Sequence, residues 1–284
     1  MDRLTRVKFT NLDKVLYPRL GVKKSQVIEH YIRIAPLMLS FLEGRAVVLN
    51  RYPDGVDHEG FYEKDAPRGT PDWVDTFMRY SEAAEREIDY VLCNNLDTLL
   101  WLANLAALEL HVTLSRAASF ENPDLVLFDL DPEPPFGFQE AVDVGFLLKE
   151  KLDVLGYNSY TKTSGKKGLH VLMPIVGDYS FRQTREFVHE LGKRLASESE
   201  MVVSEVSQSR DPGKVYVDYP QNSKGRTMVC PYSLRAEQGA TVSTPLEWRE
   251  LKGARPEELN IFSVSKRKID PWEGFWEHRQ RLEA

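Results

Sequence analysis

The segment that most constrains the fold is an apolar run ending in two acids and a proline, LVLFDLDP at residues 125–132. Four apolar residues bounded by turn residues are typical of a buried strand. Residues two apart on a strand share a face, so Asp129 and Asp131 should lie side by side where Pro132 ends the strand. Such carboxylates repel each other unless a cation lies between them, and their hard oxygens suit Mg²⁺ or Mn²⁺. The alternative is a solvated turn, because Asp and Pro are common turn residues.

A glycine-containing turn follows downstream, KTSGKKGLHVLMP at residues 162–174. Its glycines allow backbone N–H groups to approach an anion closely. Ser164 adds a hydroxyl, Lys167 adds charge, and His170 begins the next predicted strand. The segment is therefore typical of a triphosphate-binding turn, although an ordinary basic hairpin would have the same composition.

A third acid, Asp218, ends another short β-rich run, KVYVDYPQN at residues 214–222. Taken alone, Asp218 is better explained as a turn residue at a strand end. Three acids on neighbouring strand ends that face a basic glycine turn, however, form a two-metal nucleotidyl-transfer arrangement.

These three segments, in this order, resemble the polymerase domain of bacterial ligase D, a non-homologous end-joining enzyme of the archaeo-eukaryotic primase superfamily. Further matching segments are TNLDKVLYP (10–18), RYPDGV (51–56), FYEK (61–64), ELHV (109–112) and PYSLR (231–235). The resemblance implies an α+β fold with a split β-α-β, RRM-like palm and an N-terminal α/β extension packed on it. It also implies one polymerase domain over residues 1–284, with an N-terminal part to about 120, a palm at 121–250 and a C-terminal packing segment at 251–284.

The resemblance also implies residue roles. The catalytic metal ligands would be Asp129, Asp131 and Asp218. The triphosphate would be bound by Ser164, Lys167, His170 and Arg235. The rest of the nucleotide would contact Arg51, His111, the stacking pair Phe61 and Tyr62, and Gln221 at the ribose. A DNA 5′-phosphate would bind Lys14 and Lys24.

Two positions depart from the family pattern. Asn50 precedes Arg51 where a basic residue is expected, and an extra residue separates Arg210 from Lys214. No phosphate-binding role is therefore assigned to Arg210. The polar segment 203–213 that contains it is predicted to be a mobile loop that helps to align DNA ends.

The expected activity is template-directed extension and gap filling at DNA ends. Mn²⁺ or Mg²⁺ would serve as cofactor, with NTPs preferred over dNTPs as substrates. Two other hypotheses remain open: a metal-dependent nuclease or phosphoesterase with the same three acids, and a non-catalytic adaptor that binds DNA ends. The nuclease would need neither a triphosphate site nor a stacking platform, and the adaptor would not need the acids.

Net charge and the absence of a ligase motif indicate how the protein would contact DNA and which partners it would need. The formal net charge of −6 argues against a protein that coats nucleic acid non-specifically, so DNA contacts are expected from local basic patches. No lysine lies in a K-x-D-G ligase motif, which predicts a separate DNA ligase and a Ku-like partner. Two copies of the protein would pair transiently at a DNA synapse. We expect a cytoplasmic, prokaryotic protein that associates with the nucleoid during repair, with no membrane segment and with Cys93 and Cys230 as buried free thiols.

The hydrophobic periodicity predicts several elements. Helices are expected over 24–42 (kinked or split at Pro36), 96–110, 138–155 and 181–198. Strands are expected over 46–50, 90–93, 125–131, 158–163, 168–175 and 214–219. Trp272 and Trp276 are expected on one face of a C-terminal helix that packs on the body.

Overall fold

The computed structural model describes residues 5–82, 84–205, 210–267 and 270–282. Over these residues the fold is α+β. The strands are β1 (Val15–Tyr17), β2 (Val22–Lys23), β3 (Ala46–Arg51), β4 (Phe61–Glu63), β5 (Thr76–Ser81), β6 (Arg86–Leu92), β7 (Ala107–Thr113), β8 (Leu125–Pro132), β9 (Tyr160–Thr163), β10 (Leu169–Pro174), β11 (Val202–Val203), β12 (Val215–Val217), β13 (Thr227–Val229) and β14 (Pro245–Leu246). The α-helices are α1 (Lys24–Leu42), α2 (Leu96–Asn104), α3 (Phe138–Val154), α4 (Phe181–Glu198) and α5 (Ile261–Val264).

The chain divides into two compact units, each built from three separate segments. Unit 1 comprises residues 1–113, 229–243 and 257–267, and unit 2 comprises residues 114–228, 244–256 and 268–284. The predicted end-aligning loop at 203–213 belongs to unit 2, and its residues 206–209 lie outside the described part of the chain.

Unit 2 contains a sheet with the strand order β11-β12-β8-β10-β9-β14. β8 pairs antiparallel with both β10 and β12, so the strand with the two acids lies inside the sheet. Its residues Leu125 to Phe128 are buried, as an internal strand requires, and α3 and α4 pack against it. The chain order β8, α3, β9, β10, α4, β11, β12 confirms the predicted split β-α-β palm.

Unit 1 contains a second sheet with the order β13-β7-β3-β6-β5, and β4 also pairs with β3. Helix α1 packs on α2 and β7 through its buried apolar stripe. The predicted split of α1 is wrong, because the helix continues through Pro36 to Leu42. Burial of the neighbouring Ile34, Ala35 and Met38 offsets the single backbone hydrogen bond that the proline removes.

The predicted helix over 96–110 is also wrong in its second half. Helix α2 ends at Asn104, and Ala106 has a φ of 55°, which breaks the helix. Residues Ala107–Thr113 then form β7, a fully buried strand between β3 and β13. A continuous apolar run is compatible with either a buried helix or a buried strand, and here neighbouring strands on both sides select the strand.

The two C-terminal tryptophans do not share a helix face. Trp272 is buried in unit 2, where its ring stacks on Phe275 and its Nε1 donates to the carbonyl of Thr161 at 3.0 Å. Trp276 lies in a short 3₁₀ turn with the Arg116 guanidinium over its ring. A glycine with positive φ, Gly274, separates the two positions and prevents a common helix.

Both cysteines, Cys93 and Cys230, are buried free thiols as predicted, and burial raises the pKa of Cys93. Across the described ranges, none of the helices combines the length and the apolar character needed to cross a membrane.

Candidate active site

Three carboxylates come together on two neighbouring strands of the unit 2 sheet, β8 and β12. Asp129 and Asp131 lie near the end of β8, and Asp218 directly follows the neighbouring strand β12. The backbone N–H of Asp218 donates to the carbonyl of Asp129 at 2.9 Å, which fixes the third acid beside the first. Burial raises the pKa of Asp129 to about 7, and the charges of Asp131 and Asp218 add to the rise. Burial also raises the pKa of Asp218. The predicted trio is therefore one electrostatically coupled cluster.

Arg210 supplies a positive charge to this cluster. Its guanidinium hydrogen-bonds to Asp131 and to Glu133, and its Nη2 lies 3.5 Å from Asp218 Oδ2. The guanidinium also lies over the ring of Tyr216, at 4.8 Å from its centroid. The position of Arg210 could not be predicted, because no sequence pattern relates residue 210 to Asp131, 79 residues earlier in the chain.

Within the ranges that the structure describes, no set of three or more Asp, Glu, His or Cys side chains is grouped so as to hold a metal ion. Arg210 instead contacts Asp131 and Asp218. The donor set nevertheless suits a hard divalent cation, since clustered carboxylate oxygens are the ligands that Mg²⁺ and Mn²⁺ prefer. Burial and then the neighbouring Asp131 and Asp218 charges keep the pKa of Asp129 raised although Arg210 and Lys162 lower it.

The glycine turn lies beside the acids. Ser164 Oγ accepts from the N–H groups of Gly168 at 3.1 Å and Lys166 at 3.3 Å, which closes the turn. Gly165 has a φ of 76°, a conformation that favours glycine. Lys167 Nζ lies 3.7 Å from a carboxylate oxygen of Asp131. The turn therefore presents a hydroxyl and an ammonium group next to the acid cluster.

His170 links the turn to the acids. It lies opposite Asp129 in the β8–β10 register, and its Nε2 is 3.4 Å from Asp129 Oδ1. Its Nδ1 is 2.9 Å from the ammonium group of the buried Lys162, which donates to it and leaves the ring proton on Nε2. Gln221 lies in the 3₁₀ turn after Asp218, and its N–H donates to the Asp218 carbonyl at 3.2 Å. Unit 2 thus brings together seven of the predicted site residues: Asp129, Asp131, Asp218, Ser164, Lys167, His170 and Gln221.

The predicted stacking pair lies on β4 in unit 1. Phe61 and Tyr62 are 45% and 63% exposed, so both rings are at the surface and not in the core. The Arg51 guanidinium lies over the Phe61 ring and pairs with Glu63 at 2.6 Å. The Tyr62 ring makes an edge contact with the ring of His111, with a centroid distance of 5.6 Å.

Arg235 joins this cluster through a residue that sequence reasoning missed. Its Nε lies 3.1 Å from a carboxylate oxygen of Glu109, and the other oxygen of Glu109 accepts from His111 at 3.0 Å. Glu109 and His111 are two residues apart on β7, so they share a face of the strand. That alternation, visible in the sequence ELH, was the available signal.

The predicted 5′-phosphate residues also meet in unit 1. Lys24 is the first residue of α1, and its backbone N–H donates to the carbonyl of Lys14 at 2.8 Å. Lys24 is buried, its Nζ is 3.5 Å from Thr10 Oγ1, and burial and the charge of Lys14 lower its pKa. Lys14 pairs with the exposed Asp54 at 2.7 Å. Lys24 therefore lies at a helix N-terminus, where backbone N–H groups favour negative charge.

Comparison with known proteins agrees with this geometry. The family profile of the LigD primase-polymerase domain matches residues 23–272. The bifunctional non-homologous end joining protein LigD of Bacillus subtilis is 34% identical over 88% of this chain and 40% of its own length. The multifunctional LigD of Mycolicibacterium smegmatis is 33% identical over 94% of this chain and 35% of its own. The chain thus spans well under half the length of these relatives.

A solved structure, the polymerase domain from Mycobacterium tuberculosis ligase D in complex with DNA, superposes with a TM-score of 0.87. It is 29% identical and covers 97% of this chain and 100% of its own. The residues matched by the family profile, 23–272, include those of the acid cluster and the glycine turn. The chain belongs to the primase-polymerase domain family of ligase D.

Proposed function

We propose that this protein is a template-directed nucleotidyltransferase that fills gaps and extends 3′ ends during non-homologous end joining, with NTPs preferred over dNTPs. The observation that carries the proposal is the meeting of three carboxylates with the Ser164-Lys167-His170 turn on one sheet edge. A nuclease would need the acids alone, whereas a polymerase also needs a site for the triphosphate of the incoming nucleotide.

The acids would hold a pair of Mg²⁺ or Mn²⁺ ions, which would stabilise charge on the attacking and leaving oxygens of the phosphoryl transfer. The Ser164 hydroxyl and the Lys167 ammonium group would bind the triphosphate. The Nε2–H of His170 would donate to a phosphate oxygen from its position beside Asp129. Arg235 would add a further cationic contact.

The remaining predicted residues would select the nucleotide and the DNA. Stacking on Phe61 and Tyr62 is worth roughly 1–3 kcal/mol per base and tolerates any base, as a templated enzyme requires. Arg51 and His111 would line the nucleotide site, and Gln221 would contact the ribose. A hydroxyl partner at the ribose would favour ribonucleotides.

Lys14 and Lys24 would anchor the 5′-phosphate on the far side of a gap. We propose that residues 1–284 act as one polymerase region on DNA ends that carry such a phosphate, with transient pairing of two copies at a synapse. The reaction would precede sealing by a DNA ligase, with a Ku-like protein at the ends, in the prokaryotic cytoplasm and at the nucleoid during repair.

The test is extension of a labelled primer on a short-gapped duplex with Mn²⁺, giving each NTP and dNTP separately. We expect templated addition that favours NTPs and weakens when the 5′-phosphate is removed. Asp131→Asn should abolish addition while DNA binding remains. Shortening of the DNA without added nucleotide would instead indicate a nuclease, and binding without any reaction would indicate an adaptor.

A further inference from the structure

A single buried carboxylate organises the predicted nucleotide residues of unit 1. Glu109 lies on β7 and is only 2% exposed. Burying an ionised carboxylate is costly unless it is hydrogen-bonded and paired with positive charge. Glu109 meets this requirement, because each of its two carboxylate oxygens contacts two polar or charged groups of the described residues.

The first oxygen, Oε2, contacts two side chains of the sheet. His111 Nε2 lies at 3.0 Å and Asn50 Nδ2 at 3.2 Å. Asn50 is directly opposite Glu109 in the β3–β7 register and opposite Tyr62 in the β3–β4 register. Because a carboxylate only accepts, His111 must donate from Nε2, which fixes the tautomer and the orientation of its ring. The His111 ring in turn makes a T-shaped contact with the exposed ring of Tyr62.

The second oxygen, Oε1, fixes the segment around Arg235. It accepts from the backbone N–H of Ala236 at 3.0 Å and lies 3.1 Å from Arg235 Nε. In the described part of the chain, Arg235 Nε has no aligned hydrogen bond, so its contact with Glu109 is a close charge attraction. The bond to Ala236 holds the backbone next to Arg235, and the charge of Glu109 holds the guanidinium against β7.

The carboxylate remains ionised at neutral pH. Burial alone would raise the pKa of Glu109, but the hydrogen bond from His111, the charge of Arg235 and the Ala236 N–H together hold it at about 2. A fixed negative charge next to Arg235 would by itself weaken the binding of an anion there. A role of Glu109 in orienting its neighbours therefore explains its position better than a direct contribution to the affinity for an anion.

We propose that Glu109 is a positioning residue for the incoming nucleotide: it fixes the His111 ring, and through it Tyr62, together with the Arg235 guanidinium. This inference rests on the proposed function, because it assumes that these residues contact the nucleotide. Glu109 itself touches neither the reacting atoms nor the substrate.

Positioning and charge predict opposite results for Glu109→Gln. If Glu109 acts only as a local negative charge, its loss leaves Arg235 more attractive to a triphosphate, and nucleotide binding tightens. If Glu109 positions its partners, the glutamine NH₂ group must replace one of the two acceptor oxygens and face either His111 and Asn50 or Arg235 and Ala236. The orientation of that pair is then lost, and binding weakens. A charge-assisted hydrogen bond of this kind is worth enough to weaken binding about tenfold.

The experiment measures the Kd of ATP for the full chain with Mn²⁺ by calorimetry, and KM and kcat in gapped-primer extension. We expect Glu109→Gln to raise both the Kd and the KM about tenfold, with kcat at saturating ATP and affinity for 5′-phosphorylated DNA nearly unchanged. The matched control is Asp124→Asn, which removes a buried carboxylate paired with Arg116 at 3.2 Å in unit 2 and should leave the Kd of ATP unchanged. Unchanged or tighter ATP binding by Glu109→Gln would overturn the inference.

A double-mutant cycle separates positioning from general loss of structure. In a His111→Ala background, Glu109→Gln should weaken ATP binding much less than in the wild type, because its partner is already missing. Fully additive effects would refute action through His111. If Glu109→Gln does not fold, Asn50→Ala loosens the same carboxylate more mildly and should raise the Kd of ATP in the same direction; an unchanged Kd would refute the inference. A wild type that binds ATP but extends no primer would refute the proposed polymerase function, and the comparison of Kd values would still decide the role of Glu109.

Discussion

Replacing Asp129 with asparagine should make the metal-free protein more stable at alkaline pH. The pKa of Asp129 rises from the ordinary aspartate value of 3.8 to about 7 in the folded protein, first through burial and then through Asp131 and Asp218. Between these two values the folded state binds more protons than the unfolded state, so stability falls as pH rises through this window. Each pKa unit corresponds to about 1.4 kcal/mol, which gives about 4 kcal/mol at most above pH 7.

Because the Asp129 carboxylate is 18% exposed and water screens part of the repulsion, we expect about 2–4 kcal/mol. Asparagine matches the protonated acid in shape, so Asp129→Asn should equal the wild type near pH 4 and exceed it by that amount at pH 8. Urea unfolding in EDTA at several pH values measures the difference. The exposed Asp153→Asn, whose carboxylate pairs with Lys149 on α3, serves as control and should show no such gain. Parallel pH profiles for wild type and Asp129→Asn would refute the coupling argument.

Three other substitutions test separate parts of the site. Arg210→Gln should lower the melting temperature of the EDTA-treated protein by about 2–4 °C, because about 1 kcal/mol of charge compensation is lost, and Mn²⁺ should restore it; an unchanged melting temperature would contradict the contacts to Asp131 and Asp218. In Gly168→Ala a Cβ would lie 3.0 Å from the Leu130 carbonyl, so the turn must shift and the KM for NTP should rise about tenfold; a normal KM would show that the turn does not bind the triphosphate. Lys24→Ala should abolish the advantage of a 5′-phosphate in gap filling, whereas the exposed Lys23→Ala should retain it; equal behaviour of the two variants would refute the anchor.

The strands and helices of the palm could be predicted because the sequence patterns within each segment match the burial that the segment has in the fold. The run before Asp129 is too short for a helix and ends in turn residues, and it forms an internal strand. Helix α4 begins where its cap predicts, since the Ser180 hydroxyl accepts from the N–H of Gln183. Where a cap, an amphipathic period and a terminating turn all coincide, sequence alone locates the element.

The boundary between α2 and β7 was not predictable for a specific reason. Residues 96–110 are almost uniformly apolar, and such a run carries no period that distinguishes a helix from a buried strand. The break occurs at Ala106, a residue type that rarely adopts positive φ and therefore gives no warning. Only pairing with β3 and β13, which are both distant in sequence, selects the strand.

In the candidate site, too, residues with a local sequence pattern could be predicted, whereas residues defined by contacts distant in sequence could not. Asp129, Asp131 and Asp218 could be proposed as a cluster because acids at strand ends have a recognisable pattern. Arg210 was missed because its contact with Asp131 joins residues that are 79 positions apart. For Glu109 the local ELH pattern was visible, but its pairing with Arg235 was not, because the two residues are distant in sequence. A charged residue inside an otherwise apolar strand, as in ELH, is the kind of local conflict that marks a functional position.

The three-segment construction of each unit has a consequence for how the protein is made. Unit 1 begins with residues 1–113 but also needs residues 229–243, which contribute the Ser233 hydroxyl bound by the Leu110 N–H and the guanidinium paired with Glu109. During synthesis β7 would therefore leave the ribosome long before the segment that satisfies its buried polar groups. We expect residues 1–113 expressed alone to aggregate, with an unpaired carboxylate buried in a central strand. To produce either unit alone, its three segments would have to be rejoined in a new order, since no single cut in the chain releases an intact unit.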